Sequence, residues 1–276
     1  MRPRLPTTRR PSRWRPLLLV AVTLVLAGCG SASPADAPSN RADGSTARPN
    51  GTVTVLAAAS LTEAFDKIAR DFERSHPGTT VRLSFGGSSA LATQVINGAP
   101  ADVLATADLA TMRRVAEADG GTRLAQQPTI FATNRLQIAV PPDNPGRVAG
   151  LAHFARPELR LAVCAPQVPC GRAAAEAFRR AGVIPRPDTY GPDVKAVLTL
   201  VRTGEVDAGL VYLTDVCAAG DAVRGLDLPE ATSPVHDYPI AVLADAPNPT
   251  AARAFVDHVH SAAGRQRLTE ACFEVP

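Results

Sequence analysis

From residue 51 onward, patterns of buried strands and amphipathic helices alternate along the chain. An apolar run at 53–58 is followed by a helical pattern over 61–72, and similar pairs recur at 81–96 and 103–118. Parallel strands need a connection of a dozen or more residues between them, which is usually a helix. Three successive strand–helix units therefore predict an α/β fold built on a parallel-rich sheet with flanking helices.

The same alternation continues to the C-terminus without an internal repeat. The predicted strands are 136–140, 159–163, 208–213 and 240–243, and the predicted helices are 172–181, 194–202, 250–260 and 265–271. In open α/β sheets, ligands bind beyond the carboxyl ends of the strands, where helix N-termini point. The strand-to-helix junctions are therefore the places where a binding site is expected.

The N-terminus has the features of an export signal. Residues 1–28 contain six arginines and no acidic residue, and their apolar run at 17–27 is shorter than the roughly 20 residues that span a bilayer. The run ends in Leu-Ala-Gly before Cys29, which resembles a bacterial lipobox. That resemblance implies cleavage before Cys29, a lipid on its sulfur and an extracytoplasmic protein anchored to the outer face of the cell membrane. The alternative is an ordinary cleaved signal with an incidental cysteine.

Residues 29–50 are rich in Ser, Ala, Pro, Asp and Gly and predict a disordered tether, because such a segment cannot bury enough apolar surface to offset its ordering entropy. The formal charge of the whole chain is +3, and loss of the six signal arginines leaves −3 for residues 29–276. That part contains no block of basic residues interleaved with aromatic ones. A nucleic-acid partner is therefore not expected.

Four strand-to-helix junctions offer hydrogen-bond donors. Ser60, with Glu63 three residues later, predicts a capping box in which Ser60 is the N-cap, and a hydroxyl in that position can still donate its own proton. Ser88 follows two glycines that would let the backbone approach a ligand closely. Cys170 and Val194 each open a further helix. The alternative interpretation is that Ser60 only caps its helix and that the Gly-Ser segment is an ordinary turn.

A phenol is expected near these junctions, because Tyr212 lies near the end of the predicted strand at 208–213. Four helix N-termini carry about half a positive charge each, or roughly +2 together, which matches a doubly charged anion. The sequence therefore predicts an anion site made of neutral donors. A serine enzyme is the alternative of another class, but neither serine lies in Gly-x-Ser-x-Gly and no catalytic residue is predicted.

Four segments, at 54–62, 85–94, 98–103 and 209–212, resemble the periplasmic molybdate-binding proteins, which are substrate-binding proteins of ABC importers. The resemblance runs from about residue 52 to the C-terminus. It implies a two-lobed periplasmic-binding-protein fold of type II, with the ligand in the cleft between the lobes. Lobe one would comprise 51–133 plus 238–276 and lobe two 134–237, with hinge crossings near Asn134 and Tyr238.

The same resemblance implies a binding function and a set of ligand residues. Molybdate or tungstate would be the bound ligand, with no cofactor and no metal site other than the oxyanion itself. The partners would be ABC permease and ATPase subunits, and the protein would be a monomer. Sulfate, thiosulfate or an iron complex remain alternative ligands, and Ser89 remains an alternative to Ser88. The implied ligand residues are Ser60, Ser88, Cys170, Val194 and Tyr212.

Four cysteines remain when Cys29 is set aside, and three pairings of them into two disulfides are open. We favour Cys164 with Cys170, because this bond would close the loop that carries one proposed donor. Cys217 would then pair with Cys272. A zinc site is the alternative, but the spacing of Cys164 and Cys170 lies outside the usual structural zinc patterns.

Overall fold

The computed structural model describes residues 48–276, so the predicted signal, Cys29 and nearly all of the predicted tether lie outside the described residues. The strands are β1 (Gly51–Ala58), β2 (Thr79–Gly86), β3 (Val103–Ala105), β4 (Thr129–Val140), β5 (Leu161–Cys164), β6 (Thr189–Gly191), β7 (Ala208–Tyr212), β8 (Arg224–Asp227) and β9 (Val235–Val242). The helices are α1 (Thr62–Ser75), α2 (Ser88–Ile96), α3 (Leu109–Ala116), α4 (Pro169–Ala181), α5 (Val194–Arg202), α6 (Leu213–Ala219), α7 (Pro249–His260) and α8 (Ala262–Glu270).

The strands form a mixed sheet in the order β2-β1-β3-β9-β4-β7-β5-β6, with β8 paired to β4. Strand β1 pairs in parallel with β2 and β3, and β5 pairs in parallel with β6 and β7. The pairs that involve β4 and β9 are antiparallel. The α/β class with flanking helices is therefore confirmed, while the antiparallel centre of the sheet was not predicted.

Helices cover both faces of the first part of the sheet. Successive residues of a strand point to opposite faces. Val55 of β1 accordingly packs in a core with Phe65 of α1 and Phe255 of α7, whereas Leu56 packs on the other face with Met112 of α3. Burying both faces explains why β1 is apolar nearly throughout.

A separate core forms around the second part of the sheet, where residues of β4, β5 and β7 pack against α4 and α5. Strand β4 belongs to both parts. Its first residues, from Thr129 to Arg135, pair with β9, and its last residues, from Leu136 to Val140, pair with β7 and β8. The chain therefore crosses between the two parts of the sheet within one continuous strand.

Across the part of the chain that the structure describes, no helix has the length and apolarity needed to cross a membrane.

Candidate functional site

One small cavity lies where β1, β2 and β7 end and where α2, α4 and α5 begin. The space open to the centre of a water molecule is about 20 Å³, somewhat more than the roughly 10–15 Å³ that a single water needs. The cavity therefore has room for one small ion and not for an organic ligand. Its walls include all five residues named from the sequence, which are Ser60, Ser88, Cys170, Val194 and Tyr212.

Ser60 reaches the cavity from a 3-10 turn (Ala59–Leu61) that precedes α1. It is not the N-cap of a capping box as predicted, because the turn begins one residue earlier and Ala58 is its cap. The Ser60 hydroxyl instead lies 2.9 Å from the hydroxyl of Tyr238. Glu63 accepts a hydrogen bond of 2.7 Å from Lys195. Tertiary partners have replaced the local cap.

Ser88 is the first residue of α2 and is 2% exposed. Its Oγ accepts a 3.0 Å hydrogen bond from the backbone N–H of Ala107, so its own proton remains available to a ligand. Ser89, the alternative donor, has its proton committed elsewhere, because its Oγ donates to the carbonyl of Gln167 at 2.7 Å.

Cys170 and Val194, each in the first turn of a helix, line the other side of the cavity. Cys170 is the second residue of α4, after Pro169, and Val194 is the first residue of α5. The N–H groups of a first helical turn have no partner within the helix, and the positive end of the helix dipole lies beside them. Asp193 caps α5 by accepting from the N–H of Ala196 at 2.9 Å, which fixes the orientation of this helix start.

Tyr212 ends β7 and supplies a phenol that is 1% exposed. Within residues 48–276 its hydroxyl has no hydrogen-bond partner. Burial raises the pKa of Tyr212 well above its usual value, so the phenol keeps its proton. A buried polar group without a partner is costly, and Tyr212 lines a cavity that could hold an acceptor.

The two basic residues next to these donors are both engaged by carboxylates. Lys195 of α5 contacts Glu63 at 2.7 Å and Asp215 at 3.2 Å. Arg172 of α4 donates from Nε to Asp108 at 2.9 Å. The nearby positive charge is therefore balanced, and an anion in the cavity would be held by dipoles and not by a free cation.

Asp215 is fully buried at the start of α6, and it accepts from the N–H of Tyr212 at 3.1 Å. Burial raises the pKa of Asp215 to about 6 from an ordinary 3.8, against the opposing effect of Lys195. The folded protein therefore holds this proton more tightly than the unfolded chain does. The stability that protonation adds is gained as the pH falls through about 6 and is absent at neutral pH.

We expect the Asp215→Asn variant to lose this pH dependence. Between pH 7 and pH 5 the wild type should gain free energy of unfolding relative to the variant, by about 1.3 kcal/mol. Burial lowers the pKa of His236, which works in the opposite direction, but this effect is present in both proteins and cancels in their difference. Urea unfolding of both proteins at both pH values measures this difference in the free energy of unfolding. Parallel pH profiles for the two proteins would contradict the role of Asp215.

The four described cysteines form two bonds in the structure. Cys164 and Cys170 are joined at 2.07 Å, which closes the loop before α4. Cys217 of α6 is joined to Cys272 after α8 at 2.09 Å. No group of three or more His, Cys, Asp or Glu residues within 48–276 is arranged to hold a metal ion.

Sequence reasoning did not identify three residues that hydrogen-bond to the proposed donors, directly or through one another. Tyr238, Asn134 and Asp215 are all buried polar residues. Tyr238 and Asn134 were identified only as crossing points between the proposed lobes. Their contacts join residues far apart in the chain, and no local pattern marks them.

Comparison with known proteins identifies the family. Residues 53–274 match the model of the bacterial extracellular solute-binding proteins. The molybdate-binding protein ModA of Mycobacterium tuberculosis is 42% identical over 260 residues, which cover 94% of this chain and 97% of that protein.

Two solved structures share the fold. The periplasmic molybdate-binding protein of Azotobacter vinelandii is 20% identical with a TM-score of 0.71, and the match covers 81% of this chain and 99% of that one. The sulfate-binding protein SubI of M. tuberculosis is 17% identical with a TM-score of 0.70, and the match covers 82% of this chain and 87% of that one. Because proteins named for two different oxyanions share the fold, the fold alone does not identify the ion. The predicted resemblance is confirmed at the level of the family: the chain belongs to the bacterial extracellular solute-binding proteins and has a molybdate-binding protein among its relatives.

Proposed function

We propose that this protein is the substrate-binding component of an ABC importer and that it captures molybdate, and with it tungstate, in the cavity at the helix starts. The observation that carries the proposal is the set of uncharged, buried donors around one ion-sized space. Each of the five lining residues predicted from the sequence is at most 4% exposed. The role is one of binding and delivery, not catalysis.

The donor chemistry favours an oxyanion that carries no proton. Ser88 already accepts from Ala107, so it can offer its proton to a ligand, and the phenol of Tyr212 has no other partner among the described residues. A ligand such as hydrogen phosphate would need an acceptor for its own proton. Leaving a buried donor unsatisfied costs about 1–3 kcal/mol. Molybdate, tungstate and sulfate avoid that cost.

Molybdate is preferred over sulfate on two grounds. The relative that is 42% identical to this chain is named for molybdate. In addition, Mo–O bonds are longer than S–O bonds, so donors spaced for the larger ion would hold sulfate with stretched hydrogen bonds. Sulfate or thiosulfate is the second candidate, supported by the shared fold of the sulfate-binding protein.

We further propose that the ligand bridges two lobes, 51–133 plus 238–276 and 134–237. Ser60 and Ser88 would belong to lobe one, and Cys170, Val194 and Tyr212 to lobe two. Two ion pairs, Glu63 with Lys195 and Asp108 with Arg172, would then cross the cleft beside the ligand. Capture would proceed by closure of the lobes about the crossings near Asn134 and Tyr238, followed by docking onto the permease and its ATPase.

Lipid on Cys29 would hold a monomeric protein at the outer face of the membrane, with 29–50 as the tether. The bond between Cys164 and Cys170 would stiffen the loop that presents the N–H of Cys170. The bond between Cys217 and Cys272 would tie the two lobes together.

Thermal unfolding of residues 46–276 in the presence of different oxyanions tests the ligand. A ligand present at 100 times its dissociation constant stabilises the folded state by about 2.7 kcal/mol. We expect molybdate and tungstate to raise the melting temperature at concentrations where sulfate and phosphate do not. A shift with sulfate alone would select the second candidate, and no shift with any of the four would refute an oxyanion site.

Ser60→Ala and Ser88→Ala test the donors. Each removes one hydrogen bond to a charged ligand, worth about 1.5–3 kcal/mol, so each should weaken molybdate binding roughly 10- to 150-fold by calorimetric titration. Ser75→Ala, at the far end of α1, is the matched control and should bind as the wild type does. Unchanged affinity in both cavity variants would remove the site assignment.

A further inference from the structure

The hydroxyl of Ser60 belongs to a buried chain of polar groups that reaches the two strands crossing the middle of the molecule. Its Oγ lies 2.9 Å from Oη of Tyr238, which is on β9 and is fully buried. Nδ2 of Asn134, on β4, donates to the same Tyr238 oxygen at 3.3 Å. The direction of each hydrogen bond in this chain decides what Ser60 can offer to a ligand.

The orientation of the Asn134 amide follows from its other contacts. Its Oδ1 accepts from the backbone N–H of Arg135 at 2.9 Å, and its Nδ2 also donates to Oγ1 of Thr214 at 2.9 Å. If the amide were flipped, the side-chain NH2 of Asn134 would face the backbone N–H of Arg135, and neither of these donors could accept a hydrogen bond from the other. The amide therefore presents a donor, and not an acceptor, to Tyr238.

The phenol of Tyr238 must then donate to Ser60. Burial raises the pKa of Tyr238 above its ordinary range, so the phenol keeps its single proton. Its oxygen already accepts from Asn134, and among the described residues its other hydrogen-bond partner is Ser60. Ser60 lines the cavity, whereas Tyr238 does not. Donation from Tyr238 to Ser60 therefore leaves the Ser60 proton able to reach a ligand, while the opposite direction would leave the Tyr238 proton without an acceptor.

We propose that Asn134 and Tyr238 are positioning residues that turn Ser60 into a donor toward the ligand. Because Ser60 accepts from Tyr238, its own proton has no acceptor in this chain of residues and is left for the ion. This inference rests on the proposed oxyanion site and adds to it a cause of specificity. A ligand that presents a protonated oxygen to Ser60 offers it a donor in place of an acceptor, so the proton of Ser60 would be buried without a hydrogen-bond partner. The backbone N–H of Ala107 sets Ser88 in the same way.

The coupling of Tyr238 to Ser60 is tested by a double-mutant cycle measured by titration with molybdate. Tyr238→Phe keeps the ring that packs against Phe131 and Phe273 but removes the hydroxyl. We expect it to weaken binding about three- to tenfold in the wild-type background and less than twofold in the Ser60→Ala background. Tyr190→Phe, at an exposed tyrosine of β6, is the control and should have no effect.

A purely structural role for Tyr238 would weaken binding equally in both backgrounds, and that result would overturn the inference. Full affinity in Tyr238→Phe would also overturn it. If Ser60→Ala itself binds molybdate as tightly as the wild type, the site assignment fails first and the inference fails with it. The cycle therefore separates the failure of the positioning role from the failure of the proposed function.

Asn134→Asp provides a second measurement with a different readout. An ionised carboxylate would accept from Tyr238, so Ser60 would donate to Tyr238 and present a lone pair to the ligand. At mildly alkaline pH, molybdate and hydrogen phosphate are both dianions, so the added negative charge repels them equally. The ratio of their affinities therefore depends only on the direction of the hydrogen bond between Tyr238 and Ser60. We expect the molybdate-to-phosphate ratio to fall about tenfold. An unchanged ratio would overturn the proposed direction.

Discussion

Val194→Pro should weaken molybdate binding by about two orders of magnitude while leaving the fold intact. Val194 is the first residue of α5, the position in a helix where proline is best tolerated because that N–H has no intrahelical partner. The chain already carries proline at this position in α4, where Pro169 begins the helix. Asp193 before it is extended (φ −156°, ψ 176°), as the residue before a proline should be.

The expected loss has a single physical cause. Proline removes the backbone N–H that would donate to the ion, a bond worth about 1.5–3 kcal/mol, and places a methylene group in its position. Val194→Ala is the matched control, because it removes side-chain atoms but keeps the N–H, and it should bind within a few-fold of the wild type. Calorimetric titration measures both variants. Wild-type affinity in Val194→Pro with an unchanged melting temperature would show that this N–H does not hold the ligand.

Gly87→Ala should lower molybdate affinity about 5- to 150-fold, because it obstructs closure of the two proposed lobes. A Cβ at Gly87, the cap of α2, would lie 2.6 Å from the backbone carbonyl oxygen of Pro192 on the opposite side of the cavity. Overpacking of this kind costs about 1–3 kcal/mol, and the affinity falls by the corresponding factor. The backbone of Gly87 (φ −61°, ψ 125°) suits alanine, so no local strain is added.

Because the obstructing atom belongs to the other proposed lobe, the cost should appear in the closed, ligand-bound form. The ligand-free melting temperature should change little. Gly150→Ala is the matched control, since a Cβ there would meet nothing within 4 Å. A large loss of ligand-free stability in Gly87→Ala, with no loss of affinity, would contradict closure at this contact.

Much of the fold was predictable because its local patterns are strong. The pattern over 194–202 predicted α5 with the bounds that the structure shows (Val194–Arg202), since the apolar residues recur at helical spacing and an aspartate caps the start. Strand β4 was predicted only from 136 onward. Its first half contains Thr133, Asn134 and Arg135, polar residues that break the apolar run. Their pairing with β9 comes from tertiary contacts, which a local pattern does not reveal.

In the candidate site, too, some features were predictable from the sequence and others depend on contacts between distant parts of the chain. The donors lie at helix starts, and a helix start is a local feature that Gly, Ser, Pro and Asp mark in the sequence. The capping box at Ser60 was wrong because Tyr238 and Lys195 compete for its two partners from distant parts of the chain. Local signals therefore identified the positions of the donors, while long-range contacts determine the direction in which they donate.

The most direct test of an oxyanion held by neutral donors is a crystal structure of residues 46–276 grown with molybdate, using anomalous scattering to locate the molybdenum. We expect one strong peak in the cavity, with oxygen atoms within hydrogen-bond distance of Ser60, Ser88, Cys170, Val194 and Tyr212. An empty cavity at saturating molybdate, or a peak held by exposed basic side chains elsewhere, would contradict it.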